Sequence, residues 1–451
     1  MTNRPLATFT LLTFWLAACG GTEPEAPTST IVAYEGATLI TGDGGPPLGG
    51  GVLLVDDGKI TAAGLAANVT VPEGATVVDL TGKTVMPTMV DLHGHLGFIQ
   101  DLSFDYANYT RENIIDQLNR YAYYGVGTIV SLGTDPGELA FTIQAEQQAG
   151  TLGGARIHTA FRGIARPNAG PGAPTMRQTA LGASTAEEAR RLVSEIASTN
   201  ADFVKIWVDD RGGSVDKLAA DLYQPIIDEA HTHQLQVIAH IFYQEDAREL
   251  VEAGVDGFAH LPRDVEMDDG LVAAIVENDV FVMPNLSISE RGQHTAPPSW
   301  LSDPLLLESV SPQVVSRIEA SFENRNPGSA SAAAESYAAM QQSLKKLAAA
   351  GARLVLGADT GVQDHIHGFM EHRELELLVE AGLSPAEAIT VATSAPAEVL
   401  DLNTGLLTPG KRADFIVLNA NPMYGISNTK QIAAVYLGGQ ELDREALRSA
   451  W

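Results

Sequence analysis

The chain has 451 residues, 45% of them hydrophobic, and sets 28 Lys and Arg against 56 Asp and Glu, a formal net charge of −28. That length and apolar content supply a substantial core and exclude a disordered chain, while one Cys excludes an intrachain disulfide framework. So acidic a composition argues against sequence-independent binding to nucleic acid or anionic lipid, which needs clustered Lys and Arg.

Residues 1–19 (MTNRPLATFTLLTFWLAAC) have the order of a secretory signal: a short positive start at Arg4, an apolar run over Leu6–Leu16, then the small residues Ala17 and Ala18. The apolar run falls short of the roughly 20 residues that span a bilayer. Leu16-Ala17-Ala18-Cys19 resembles the lipobox of bacterial lipoproteins, and the chain's sole Cys sits where lipidation requires it. Gly20 after the Cys, with no Asp there, resembles the outer-membrane class. Residues 20–30 (GGTEPEAPTST) read as a flexible tether. The expectation is an exported lipoprotein, tethered on the periplasmic side of a bacterial membrane through Cys19 alone.

Residues 31–85 alternate short apolar runs with turns at Gly58-Lys59 and Gly82-Lys83, the texture of a small β unit. The texture returns over residues 404–451, at Asp414–Leu418 and Ile432–Leu437. Between these flanks, residues 86–403 alternate strand and helix patterns. Eight buried strands are expected at Val85–Leu92, Gly127–Leu132, Arg156–Phe161, Phe203–Val208, Gln236–His240, Gly257–His260, Val280–Pro284 and Arg353–Gly357. Eight strands with intervening helices predict an α/β fold, a closed (β/α)8 TIM-like barrel, with a doubly wound open sheet as the alternative. Residues 297–350 read as a helical insertion between the seventh and eighth strands, and the two flanks as halves of one β-sandwich domain.

Barrel active sites lie at the carboxyl ends of the strands, so polar residues there are informative. The first strand ends in His93-Gly94-His95, whose two imidazoles, one residue apart in an extended segment, face the same side. The fifth ends at His240, the sixth at His260 and the eighth at Asp359. Lys205 lies inside the fourth strand, on the face shared by Phe203 and Trp207. An ammonium buried there must either pair with a carboxylate or lose its charge. A neutral amine can add carbon dioxide and become a carbamate, an anion able to bridge two cations. With four strand-end histidines at the same mouth, the carbamate is the favoured reading.

The order His-x-His, Lys, His, His, Asp, together with GVGTIVSLGTD, VKIWVDD, EAGVDGFAH and LTPGKRADFIVL, resembles the amidohydrolase superfamily from about Ile31 to Leu442. The resemblance is strongest to its imidazolonepropionase-like and prolidase-like branch. It implies two divalent metal ions, with Zn²⁺ suited to the nitrogen and oxygen donors. His93, His95 and Asp359 would bind the more buried ion and His240 and His260 the other, with carboxylated Lys205 bridging both. It implies attack on an amide carbonyl by a hydroxide shared between the ions, Asp359 taking the proton and passing it to the leaving nitrogen.

Arg162, Tyr243 and Arg263 follow strands three, five and six and are the candidates to grip a substrate carboxylate; His365 and His367, in the loop after strand eight, are further candidate contacts. Residues 162–167 (RGIARP) depart from the Gly-Gly-His-Gly stretch of prolidase-like relatives. The expected function is hydrolysis of an amide bond in a small carboxylate-bearing substrate such as a dipeptide or N-acyl amino acid. Hydrolysis of cyclic amides, lactones or organophosphate esters is the enzyme alternative, and a non-catalytic ligand-binding or metal-binding surface lipoprotein the alternative of another class. The partner is a small molecule, with no nucleic acid, and an oligomer is compatible with the sequence.

Overall fold

The computed structural model describes Met1, residues 29–323 and residues 325–451; Cys19, the signal segment after Met1 and most of the tether lie outside the described residues. The flanks come together as one eight-stranded sheet. Its N-terminal strands are Val32–Leu39, Leu48–Asp56, Lys59–Leu65, Thr76–Asp79 and Thr84–Pro87; its C-terminal strands are Phe415–Leu418, Ile432–Leu437 and Gln440–Glu441. Asp57 and Gly58 close the hairpin at φ 45° and 70°, the left-handed pair that a two-residue turn needs to follow the strand twist. Val417 pairs with Val85 across the join, and Phe415 stacks on Tyr436 with ring centroids 4.5 Å apart. Apolar residues contributed by both ends of the chain thereby form one small core, with Tyr34, Leu53 and Val85.

The barrel strands are Met89–Gly94, Val126–Ser131, Arg156–Thr159, Phe203–Val208, Gln236–Ile241, Gly257–Ala259 and Phe281–Met283, all paired in parallel, with 353–358 as the eighth segment. The third and fourth positions are joined by Ile164 beside Ile206 and by the Asp202 amide donating to Thr159 O at 2.8 Å. The eighth segment closes the ring. Val282 N donates to Arg353 O at 2.9 Å on one side, and Leu92 N to Leu356 O at 3.0 Å on the other. This is a TIM-like barrel. Inward side chains such as Val90, Leu132, Phe203, Ile238, Phe281 and Val355 fill it, while the alternate residues, Val204 and Ile206 among them, pack against the helix layer.

Two expectations about the strands are corrected. The run Val85–Leu92 is two strands: Thr84–Pro87 belongs to the flanking sheet, and only Met89–Gly94 enters the barrel. Both halves are buried, and Pro87, where the first strand ends, is the one sequence mark of the change of sheet. The eighth segment is irregular, bridged at Leu354 alone. The insertion carries the helices Pro304–Leu307, Pro312–Ala320 and Pro327–Ala349, the last capped by Asn326, whose side chain accepts from the Gly328 and Ser329 amides. Among the described residues, no helix is long and apolar enough to cross a membrane.

Candidate active site

Several strand ends turn sharply at the mouth. His260, Asn285 and Asp359 adopt positive φ of 78°, 51° and 57°, a region that non-glycine residues rarely occupy. The Asp359 amide donates to His93 O at 2.7 Å and the His95 amide to Thr360 O at 2.7 Å, so the two parallel strand ends are laced by backbone bonds. This lacing brings the side chains together. Asp359 Oδ1 lies 3.3 Å from His93 Nε2 and 3.0 Å from His95 Nε2, while Asp359 Oδ2 is 3.8 Å from His260 Nε2. The His260 and His240 rings stand 4.6 Å apart and those of His260 and His93 5.2 Å. The four histidines and Asp359 therefore share one mouth, and one ligand atom from each of His93, His95 and Asp359 falls within 4.8 Å of the others.

Partners behind the rings fix their orientation. His95 Nδ1 meets Thr134 Oγ1 at 3.0 Å and His93 Nδ1 meets Asn285 Oδ1 at 3.4 Å, leaving Nε2 of each ring pointing into the mouth. Burial holds His93 and His260 well below the ordinary histidine range and His240 down to about 3, which favours the neutral form of these rings, the form that ligates a cation. Burial pushes the Asp359 carboxyl up, but His93 and His95 outweigh it and hold the group well below the carboxylate range.

Lys205 lies beneath this ring, fully buried, and its Nζ has no hydrogen-bond partner. Desolvation pulls the amine down to about 7, against the attraction of Asp359. Space for the side chain is made by glycine: a Cβ at Gly133 would stand 2.6 Å from Lys205 Cγ. A buried amine without a partner, under four imidazoles and one carboxylate, fits the donor set for divalent cations bridged by a carbamate.

A cavity of about 560 Å³ opens above, lined by His93, His95, His240, His260 and Asp359 at its floor and by Met176, Trp207, Phe242, Ile288, Tyr337 and Met340 along its walls. Arg263 lines it and reaches His240 Nε2 at 3.3 Å. Arg162 does not reach it: its guanidinium is spent on loop carbonyls, with Nε donating to Thr179 O at 2.7 Å. Tyr243 also stands outside, donating to Asp210 Oδ1 at 2.8 Å and lining a separate surface cleft. His365 and His367 sit behind the site, their Nε2 atoms 3.0 Å from Ala358 O and 3.2 Å from His95 O, where they brace the strand ends.

Sequence reasoning missed three residues here. Arg211 lines the cavity, with Nη1 2.7 Å from Asp209 Oδ2, and Asp209 Oδ2 lies 3.1 Å from His240 Nε2. Strand alternation through 203, 205 and 207 puts Asp209 on the inward face and could have found it. Asn285, which links three strand ends, and the cavity wall from the helix Pro327–Ala349 left no comparable signal.

The sequence profile of the amidohydrolase family matches residues 84–442, and the chain belongs to that family. A Bifidobacterium longum protein assigned provisionally as a prolidase superposes with TM-score 0.72 at 28% identity over 94% of this chain and 99% of that one. A Xaa-Pro dipeptidase superposes with TM-score 0.72 at 21% identity over 91% and 99%, a likeness of fold. In sequence the chain is 23% identical to an enamidase of Eubacterium barkeri over 86% of each chain. The match to an adenine deaminase of Methanothermobacter thermautotrophicus, 35% identical, covers 25% of this chain and 19% of that enzyme.

Proposed function

We propose that this protein is a metal-dependent hydrolase that cleaves the amide C–N bond of a small carboxylate-bearing substrate, a dipeptide or N-acyl amino acid, outside the cytoplasm. The observation that carries the reading is the partnerless buried amine of Lys205 beneath His93, His95, His240, His260 and Asp359. In this reading His93, His95 and Asp359 hold one divalent cation and His240 and His260 a second, with the Lys205 carbamate between them. Bound there, such cations polarise a carbonyl and make water acidic enough to act as a nucleophile near pH 7.

The chain's own residues do the rest. Asp359 is ionised at neutral pH, and its Oδ2, less engaged than Oδ1, takes the proton of the attacking water and returns it to the leaving nitrogen. Trp207, Phe242 and Met340 shield the reacting carbonyl from bulk water. Arg263 orients the carboxylate. The prolidase-like likeness supports this substrate class.

A second reading keeps the same site and takes a cyclic amide as the substrate; the enamidase match supports cleavage of an amide-type bond without favouring a linear one. Screening dipeptides, N-acyl amino acids and cyclic amides on zinc-loaded, manganese-loaded and cobalt-loaded protein tests both readings. Turnover of linear carboxylate-bearing amides supports the first, turnover of cyclic amides alone supports the second, and no turnover in any class contradicts both.

A further inference from the structure

Two guanidinium groups converge on the cavity floor from different strand ends. Arg211, after the fourth strand, and Arg263, after the sixth, lie 3.4 and 3.3 Å from His240 Nε2. Arg211 Nη1 is paired with Asp209, Arg211 Nη2 donates to Gly170 O at 2.7 Å, and Arg263 Nη2 donates to Ile241 O at 3.0 Å. Arg263 Nε is buried with no partner. A guanidinium keeps its charge at neutral pH. Of the two guanidinium groups, Asp209 pairs with Arg211 alone, so Arg263 has no carboxylate partner among the described ion pairs, and a substrate carboxylate would supply one.

The remainder of the cavity offers no complement for a cation. Among the described residues that line it, Asp359 is the one carboxylate, and it is shared by His93 and His95. The walls are Met176, Trp207, Phe242, Ile288 and Met340, with the ring of Tyr337. The free ammonium of a dipeptide would enter a largely apolar enclosure already holding two guanidinium groups, where the hydroxyls of Ser289, Ser336 and Tyr337 offer acceptors but no counter-charge. An acyl chain would bury its carbons against the same walls.

Resting on the hydrolase reading above, we propose that the site selects N-acylated amino acids with apolar acyl groups over free dipeptides, and that Arg211 acts with Arg263 as the clamp on the α-carboxylate. The discrimination comes from a missing counter-charge at the acyl end and a surplus one at the carboxylate end.

The test uses two substrates that differ by one group: N-propionyl-L-leucine and L-alanyl-L-leucine, identical but for an ammonium in place of a hydrogen. Each is also made as its C-terminal carboxamide. On the metal-loaded enzyme, kcat/KM for the propionyl compound should exceed that for the dipeptide by about 30-fold or more, the scale of one unsatisfied buried polar group. Its carboxamide should be poorer by a similar factor. Arg211→Met should raise KM for N-propionyl-leucine about tenfold more than it raises KM for the carboxamide, while Arg211→Lys should fall between. Calorimetric binding of the ketomethylene analogues, in which CH₂ replaces the scissile N–H, should show the same order without turnover. Equal or better use of the dipeptide overturns the acyl preference and leaves the hydrolase reading standing. Equal use of acid and carboxamide, or an Arg211→Met enzyme with unchanged KM, overturns the clamp. Neither hydrolysis nor analogue binding by any of the four overturns the hydrolase reading and this proposal with it.

Discussion

Asn285 Oδ1 accepts the backbone N–H of His260 at 2.9 Å, so the residue that ends the seventh strand fixes the backbone of a histidine ending the sixth. The same amide donates through Nδ2 to Gly357 O at 2.8 Å and faces His93 Nδ1 at 3.4 Å. One left-handed residue thus holds three strand ends in register around the mouth. Asn285→Ala removes all three contacts while leaving every proposed ligand in place. We expect metal affinity to fall about 10–100-fold, the usual effect of losing a partner behind a ligating histidine. Calorimetric metal titration checks it, and affinity within about twofold of the wild type would remove Asn285 from the positioning role.

Lys205→Ala should abolish turnover and lower bound metal, because the remaining side chains supply no bridging anion. Formate or acetate at tens of millimolar should restore part of both, since a small carboxylate fits the space vacated by the carbamate. Activity assays and metal analysis with and without added acid measure this. Unchanged turnover in the unsupplemented variant would refute the bridging role.

The same lysine predicts a pH signature in metal-free, CO₂-depleted protein. Its amine is pulled from 10.5 to about 7 by burial. Below pH 7 the folded chain bears the full cost of the buried cation. Between pH 7 and 10.5 the unfolded chain holds more protons than the folded one, so wild-type stability rises with pH. Lys205→Met lacks this dependence. The variant should therefore be more stable by roughly 3–5 kcal/mol below pH 7, and the gap should close by about pH 10.5. Urea unfolding across that range gives the curve, and a gap independent of pH contradicts the buried-amine account.

Arg162 provides the contrast to Arg211 and Arg263. Because its guanidinium is bound to the carbonyls of Thr179 and Ala180 outside the cavity, Arg162→Ala should cost about 1 kcal/mol of stability and leave KM unchanged. A KM rise comparable to that of Arg263→Ala would put Arg162 back at the substrate.

The barrel and the flanking β unit were legible in the sequence because both use short-range signals: buried runs with period-two alternation, separated by amphipathic helices and turn residues. His93, His95, Lys205, His240, His260 and Asp359 were legible for a related reason. An ionisable residue at the end of, or inside, an apolar strand stands out against its neighbours. What failed depended on tertiary direction. Arg162 and Arg263 look alike in sequence, each a cation just after a barrel strand, and only the path of the loops sends one to carbonyls and the other to the cavity. Arg211 and Asp209 were overlooked because a polar strand end reads equally well as a solvated loop. The split of Val85–Leu92 between two sheets was signalled by Pro87 alone, which the apolar residues on either side of it outweighed.

Anomalous diffraction from crystals of the purified protein tests most directly whether a carboxylated Lys205 draws cations to this mouth. It should show two metal peaks about 3.5–4 Å apart, one against His93, His95 and Asp359 and one against His240 and His260, with extra density continuous from Lys205 Nζ to both. Crystals grown with excess divalent metal that show neither peak, with Lys205 as a bare amine paired to a carboxylate, would contradict it.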